Sequence, residues 1–157
     1  LVGSEMCIRD RGEVYLSSVM EYINAYYTDK LSNLHTAFEV ESYLDCLLCG
    51  DSNRLIEVLQ NIMENALKYG DGKYITISFS TEEDCCLITV KNSGCTLKED
   101  ELPHLFDSFY RGSNVGNAKG SGLGLYICRQ LMHMMDGEIF AEIKENEFFA
   151  TVVIHKV

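Results

Sequence analysis

Residues 61–70 read NIMENALKYG, a stretch that is helical by pattern yet keeps two asparagines and a lysine among residues suited to a core. Asparagine is a weak helix former, because its carboxamide competes for nearby backbone groups. At 100° per residue, Asn61, Asn65 and Lys68 fall within about 60° of one another, which the pattern places opposite the apolar residues. Two amide oxygens and an ammonium on one rigid face suit a phosphate chain with magnesium, a hard cation that takes oxygen ligands and keeps several waters. A solvated face on which asparagine recurs explains the same spacing, so this helix alone leaves both readings open.

Three more stretches bear on the choice. RGSNVGNAKGSGLGLY (111–126) sets Gly112, Gly116, Gly120, Gly122 and Gly124 before and into an apolar helix. Glycine lets a backbone approach a ligand closely, and helix N-termini offer unpaired N–H groups and partial positive charge to anions. The run is neither G-x-x-x-x-G-K-[ST] nor a G-x-G-x-x-G following a strand. In VKNSGCTL (90–97), at a strand end, Asn92 can hydrogen-bond an adenine edge while Gly94 leaves room for the ring. In LFDSFYRG (105–112), Phe106 and Phe109 anchor a loop and Arg111 can reach a phosphate. Singly these are a flexible loop, a turn and a hydrophobic anchor.

Together and in this order, the four stretches resemble the N box, the two glycine boxes and the F box of the ATP-binding catalytic domain of sensor histidine kinases, in the superfamily that includes gyrase. The resemblance covers about residues 13–157. It implies a Bergerat-type two-layer α/β sandwich that binds ATP and Mg2+ between the Asn-bearing helix and a mobile lid. By position, Asn65 is then the magnesium ligand, Asn61 supports the phosphates, Lys68 contacts them and Tyr69 lies beside the adenine. Arg111 follows the F box. Gly120, Gly122, Leu123, Gly124 and Leu125 match the second glycine turn, with Lys119 and Ser121 as adjacent candidates. Two positions depart from the family pattern. Asn92 replaces the aspartate that accepts from the adenine amino group, and Thr96 replaces a glycine. A neutral acceptor makes a weaker hydrogen bond than a charged one, so weaker nucleotide binding is expected.

Position 61 separates the branches of the superfamily. Its ATPases and anti-sigma-factor serine kinases resemble E-x-x-x-N, with the glutamate as general base. Asn61 takes no proton at neutral pH, and neither Glu57 nor Glu64 aligns with that position. The resemblance therefore implies a domain that presents ATP to a histidine supplied elsewhere, by a dimerisation and phosphoacceptor domain, with a response regulator downstream. His35 lacks the long helix and acidic neighbour of a phosphoacceptor, His104, His133 and His155 fall in the lid, the third helix and the last strand, and all four read as incidental. A non-catalytic nucleotide-sensing module is the main alternative, and an ATPase or serine kinase a weaker one.

The elements that would position these residues follow from periodicity. A helix is expected from Glu13 to about Lys30, two short strands meeting near Ser42, and a helix over 52–69 capped by Asp51. A hairpin over 73–92 follows, then an irregular stretch over 93–119 with one helical piece near KEDELPHLF. A third helix over 122–135 and a closing hairpin complete a mixed, mostly antiparallel sheet with three helices on one face. Residues 1–11 resemble translated adaptor read-through or a disordered stub, leaving a single domain over 12–157.

Composition bounds the rest. A net charge of −11 argues against nucleic acid as a partner, since such binders carry a basic face. The longest apolar run, FFATVVI, has seven residues, too short to span a bilayer. No membrane contact by this chain is expected. The expected setting is cytoplasmic, with the parent allowed an inner-membrane anchor. The seven cysteines point to a reduced compartment, and Cys46, Cys49, Cys85 and Cys86 read as small buried hydrophobes rather than as a zinc site, because Cys46 and Cys49 would diverge from one strand.

Overall fold

The computed structural model describes residues 12–107 and 124–157. Its elements run β1 (Glu13–Tyr15), α1 (Leu16–Asn33), β2 (Ala37–Val40), β3 (Leu47–Cys49), α2 (Ser52–Tyr69), β4 (Tyr74–Glu82) and β5 (Cys85–Ser93). A 3-10 helix (Glu99–His104), α3 (Gly124–Met134), β6 (Glu138–Lys144) and β7 (Glu147–His155) follow. Five strands form the main sheet in the order β2-β4-β5-β7-β6, while β1 and β3 form a separate antiparallel pair.

Alternation along the strands puts one row of apolar side chains on the helix side. Ile77 lies opposite Val90, Val90 opposite Ala150, and Ala150 opposite Ala141. Ile75, Ile77, Ile88, Val90, Val152 and Ile139 are buried there. The helices supply the other layer: Val19, Met20, Ile23 and Tyr27 from α1, Leu55, Val58, Leu59 and Met63 from α2, and Cys128 and Met132 from α3. This is the expected two-layer sandwich.

Three expectations need correction. Residues 13–15 pair as a strand with 47–49 instead of opening the first helix. The strands placed around Ser42 do not meet. β2 runs parallel to β4 in the main sheet, whereas β3 joins β1. Finally, Cys49 is buried and disulfide-bonded, so not every cysteine is a free thiol.

Both long helices are capped, by different means. The Asp51 carboxylate accepts from the N–H groups of Asn53 (2.8 Å) and Arg54 (3.2 Å), satisfying two donors at the start of α2. At α1 the capping position is Tyr15, which makes no side-chain cap. Asp45, from the loop before β3, takes over and accepts from Ser17 N (2.8 Å) and Ser17 Oγ (2.7 Å). Those two bonds hold the Asp45 carboxyl below the usual carboxylate range. Replacing Asp51 with alanine should cost about 1 kcal/mol, seen as a lower urea midpoint with an unchanged denaturant slope.

Candidate functional site

The polar edge of α2 stands against the first turn of α3. A Cβ built on Gly124 would lie 3.2 Å from Asn65 Nδ2 and 3.9 Å from its Oδ1, so glycine lets the two backbones approach this closely. One helical turn along both helices, Asn61 lies beside Cys128, whose thiol donates to Val58 O (3.6 Å). Burial pushes the Cys128 thiol up to about 12. The pairs Asn61/Asn65 and Gly124/Cys128 share one i,i+4 spacing, which makes this contact a seam.

That placement corrects the expected orientation. Helix geometry puts Asn65 about 90° from the centre of the buried stripe, flanking it instead of opposing it. The stripe on Leu55, Val58, Leu59, Ile62, Met63 and Ala66 fixes the helix on the sheet, and the asparagines fall on the side where α3 packs. Asn65 Nδ2 donates to the Asn61 carbonyl (3.0 Å), which orients the carboxamide. Its Oδ1 accepts no hydrogen bond among the described residues. An oriented amide oxygen beside a helix N-terminus fits a hard cation that keeps most of its other ligands as water and phosphate oxygen. Lys68 is exposed and Tyr69 half-buried in the last turn of α2, and Leu125 is half-buried in the first turn of α3. Arg111, Lys119, Gly120, Ser121, Gly122 and Leu123 lie outside the described residues.

Glu64 is committed elsewhere. Its Oε2 accepts from the Tyr27 hydroxyl (2.7 Å) and from Lys30 Nζ (3.0 Å), both on α1. Burial and the adjacent Glu64 raise the Tyr27 phenol well above its ordinary value. This carboxylate braces α1 against α2.

The end of β5 carries a compact polar network that sequence reasoning resolved only in part. Asn92 is buried at 5% exposure, and its Nδ2 donates to the Ser93 carbonyl (3.1 Å). The same carbonyl accepts from Asp71 N (3.0 Å). Ser93 Oγ donates to Asp71 Oδ1 (2.5 Å), which also accepts from Lys73 N (3.0 Å). The space at Gly94 (φ +73°) is not open for a ring: a Cβ there would come within 2.5 Å of Asp71. Gly94 is required by the turn and by Asp71. The missed residues are Asp71, whose sequence signal was the GDG turn after the helix, and Ser93, which lies within the VKNSGCTL stretch.

The four histidines are dispersed. His35 is the positive-φ residue of the turn after α1, and His104 pairs with Asp107 (3.1 Å). His133 pairs with Glu138 (3.1 Å), and His155 Nδ1 lies 3.5 Å from Cys85 Sγ on the sheet.

Comparison with known proteins gives a consistent pattern. The family described as histidine kinase-, DNA gyrase B- and HSP90-like ATPase matches residues 50–156. Sensor histidine kinase RcsC of Escherichia coli is 35% identical over 125 residues, covering 77% of this chain but 13% of that protein. Among solved structures, the mycobacterial sensor histidine kinase MprB has a TM-score of 0.81 at 19% identity, covering 92% of this chain and 98% of that one. Histidine kinase ThkA, solved in complex with response regulator protein TrrA, has a TM-score of 0.74 at 23% identity, covering 94% and 42% of the two chains. At these identities the solved structures show a common fold.

Two outcomes follow from the β5 network. Gly94→Ala should destabilise by about 2–4 kcal/mol, combining positive-φ strain with overpacking on Asp71, measured by urea unfolding. The Ser93 hydroxyl, then the Lys73 N–H, lower the Asp71 carboxyl in the folded state. Its stabilisation is therefore present above the unfolded carboxylate value of about 4 and is lost as pH falls through the lower folded value. Asp71→Asn should melt below the parent at pH 7 and converge with it at the acid end of a melting series.

Proposed function

Because the chain belongs to the histidine kinase-, DNA gyrase B- and HSP90-like ATPase family, we propose that it is the ATP-binding catalytic domain of a sensor histidine kinase. In this reading it presents Mg–ATP to a histidine on a dimerisation and phosphoacceptor domain outside this chain. The carrying observation is the seam, where the Asn65 carboxamide lies against the N-terminus of α3. The amide oxygen and the helix N–H groups lie side by side, so that both can face a charged phosphate chain along one edge.

Each residue then has a task. Asn65 Oδ1 would hold magnesium, which supplies neutralisation of phosphate charge as the γ-phosphoryl group leaves. Asn61 supports the same edge, beside Cys128. Lys68 would contact the phosphates, a task that sequence position alone also gives to Arg111, Lys119 and the segment from Gly120 to Leu125. Tyr69 flanks the adenine, and Asn92 accepts from its amino group through Oδ1, because Nδ2 is held by the Ser93 carbonyl. The engagement of Glu64 by Tyr27 and Lys30 tells against Glu64 as the general base that an ATPase or serine kinase would need.

Among the described residues no helix is long and apolar enough to cross a membrane. We assign this domain to the cytoplasmic side of any anchor the parent carries. The TrrA complex of ThkA supports a response regulator as the downstream partner. One observation favours a second reading: Asn92 is a neutral acceptor at the adenine position, which suits a nucleotide-sensing module without transfer.

Calorimetry should detect Mg–ATP binding, and Asn65→Ala should weaken it at least tenfold, about 1.4 kcal/mol, with little change in melting temperature. With γ-labelled ATP the chain alone should stay unlabelled, while the dimerisation domain of the same gene should acquire acid-labile label when mixed with it. Binding without transfer selects the sensing module. No heat with Mg–ATP defeats both readings.

A further inference from the structure

Away from the seam, the loop between β2 and β3 folds over the end of the main sheet and leaves an open cavity of about 540 Å3. Tyr43 and Cys46 line it from the loop side, and Phe79, Cys86 and Lys156 from the sheet side. Two free thiols, Cys46 and Cys86, line this one cavity, and each lies near enough to act on the other's titration. They lie 40 positions apart in sequence, and each is anchored through its backbone. Cys86 is held within β5 opposite Thr81 of β4 and Ile154 of β7. Cys46 is held by two bonds, its carbonyl accepting from Leu16 N (2.9 Å) and its N–H donating to Asp45 Oδ1 (3.0 Å).

We propose that Cys46 and Cys86 are a redox-active dithiol that closes to an intramolecular disulfide, strapping the 41–46 loop to β5. The oxidant is a low-molecular-weight disulfide such as oxidised glutathione, which the open cavity admits. Cys46 is half-buried and Cys86 is 4% exposed, so Cys46 is the sulfur that a solute reaches first. Its thiolate attacks one sulfur of the oxidant and releases one glutathione thiolate. The Cys86 thiolate then attacks Cys46 Sγ in the mixed disulfide and releases the second. Two electrons pass from the protein sulfurs to glutathione, and the two thiol protons end on the two released thiolates.

The surroundings set the rate. Burial raises both thiols, Cys86 to about 12, while the Lys156 ammonium opposes the rise at each. Few thiolates exist at neutral pH, so closure is slow there and accelerates as pH rises. The strap bears on the fold through Asp45, the neighbour of Cys46 that caps α1. None of this depends on nucleotide binding.

The test uses the intact chain, incubated with oxidised glutathione at pH 7 and pH 9, alkylated and digested with trypsin under non-reducing conditions. Cleavage after lysine and arginine puts Cys46 with Cys49 in peptide 31–54 and Cys86 with Cys85 in peptide 74–91. The expected result is one species in which these two peptides are joined, together with the peptide that Cys49 already holds by its own disulfide, each disulfide lowering the summed mass by about 2 Da, with fragmentation placing the new bond on Cys46 and Cys86. Formation should be faster at pH 9. The joined pair should survive Cys85→Ser and vanish in Cys46→Ser and in Cys86→Ser. The oxidised chain should melt roughly 5–10 °C higher, a gain reversed by dithiothreitol. A joined pair that persists in either single variant overturns the proposal. So does a native chain that becomes glutathionylated at Cys46 without joining the peptides, a readout that needs no variant to fold.

Discussion

The rotation of α2 about its own axis is the constraint on which the site depends. Six side chains of this helix, from Leu55 to Ala66, are buried against the sheet and its neighbours. A fully buried Leu, Ile, Val or Met contributes on the order of 1.5–3 kcal/mol, so turning the helix even one position would forfeit several such contributions. That penalty far exceeds the few tenths of a kcal/mol per residue by which asparagine disfavours a helix. Asn61 and Asn65 can therefore stand on the flank of α2, held in place by residues that take no part in ligand chemistry.

The neighbours of α2 complete the fixation. On one flank α3 arrives with Gly124 against Asn65 and Cys128 against Asn61, the glycine removing the side chain that would separate them. Toward α1, Glu64 gathers a phenol and an ammonium, and Lys30 also lies over the Tyr26 and Tyr27 rings at 5.8 and 5.7 Å. At the C-terminal end, Gly70 allows the helix to end beside Asn92, whose Nδ2 would lie 2.6 Å from any Cβ there. The next residue, Asp71, ties that end to Ser93. The helix, the turn and the end of β5 are joined in one polar network, so the amide edge and the Asn92 carboxamide keep a fixed relation. The segment after β5 is tied to α3 as well: the Arg129 guanidinium stacks 4.3 Å from the Phe106 ring centroid, while its Nε lies 3.9 Å from Glu138.

Much of this was legible locally. The span of α2, Ser52–Tyr69, follows from an uninterrupted 3.6-residue period, an aspartate at the cap and a glycine just beyond the end. The two hairpins, β4–β5 and β6–β7, show as alternating apolar runs on either side of short turns. The polar edge and the glycine-rich run were visible by residue type and spacing. Each of these signals arises within a few turns or strands of chain, where sequence neighbours are also spatial neighbours.

What tertiary structure alone decided involves partners remote in sequence. The strands on either side of Ser42 enter different sheets because β2 finds β4 and β3 finds β1, and neither pairing leaves a mark on the run itself. The Asp45 cap on α1 reaches across 28 positions, which no cap rule based on adjacent residues detects. The flanking placement of Asn65, the crowding of Gly94 by Asp71 and the meeting of Cys46 with Cys86 are likewise set by packing. Periodicity says which residues share a face of one element. Which element covers that face, and at what distance, is decided only when the core closes.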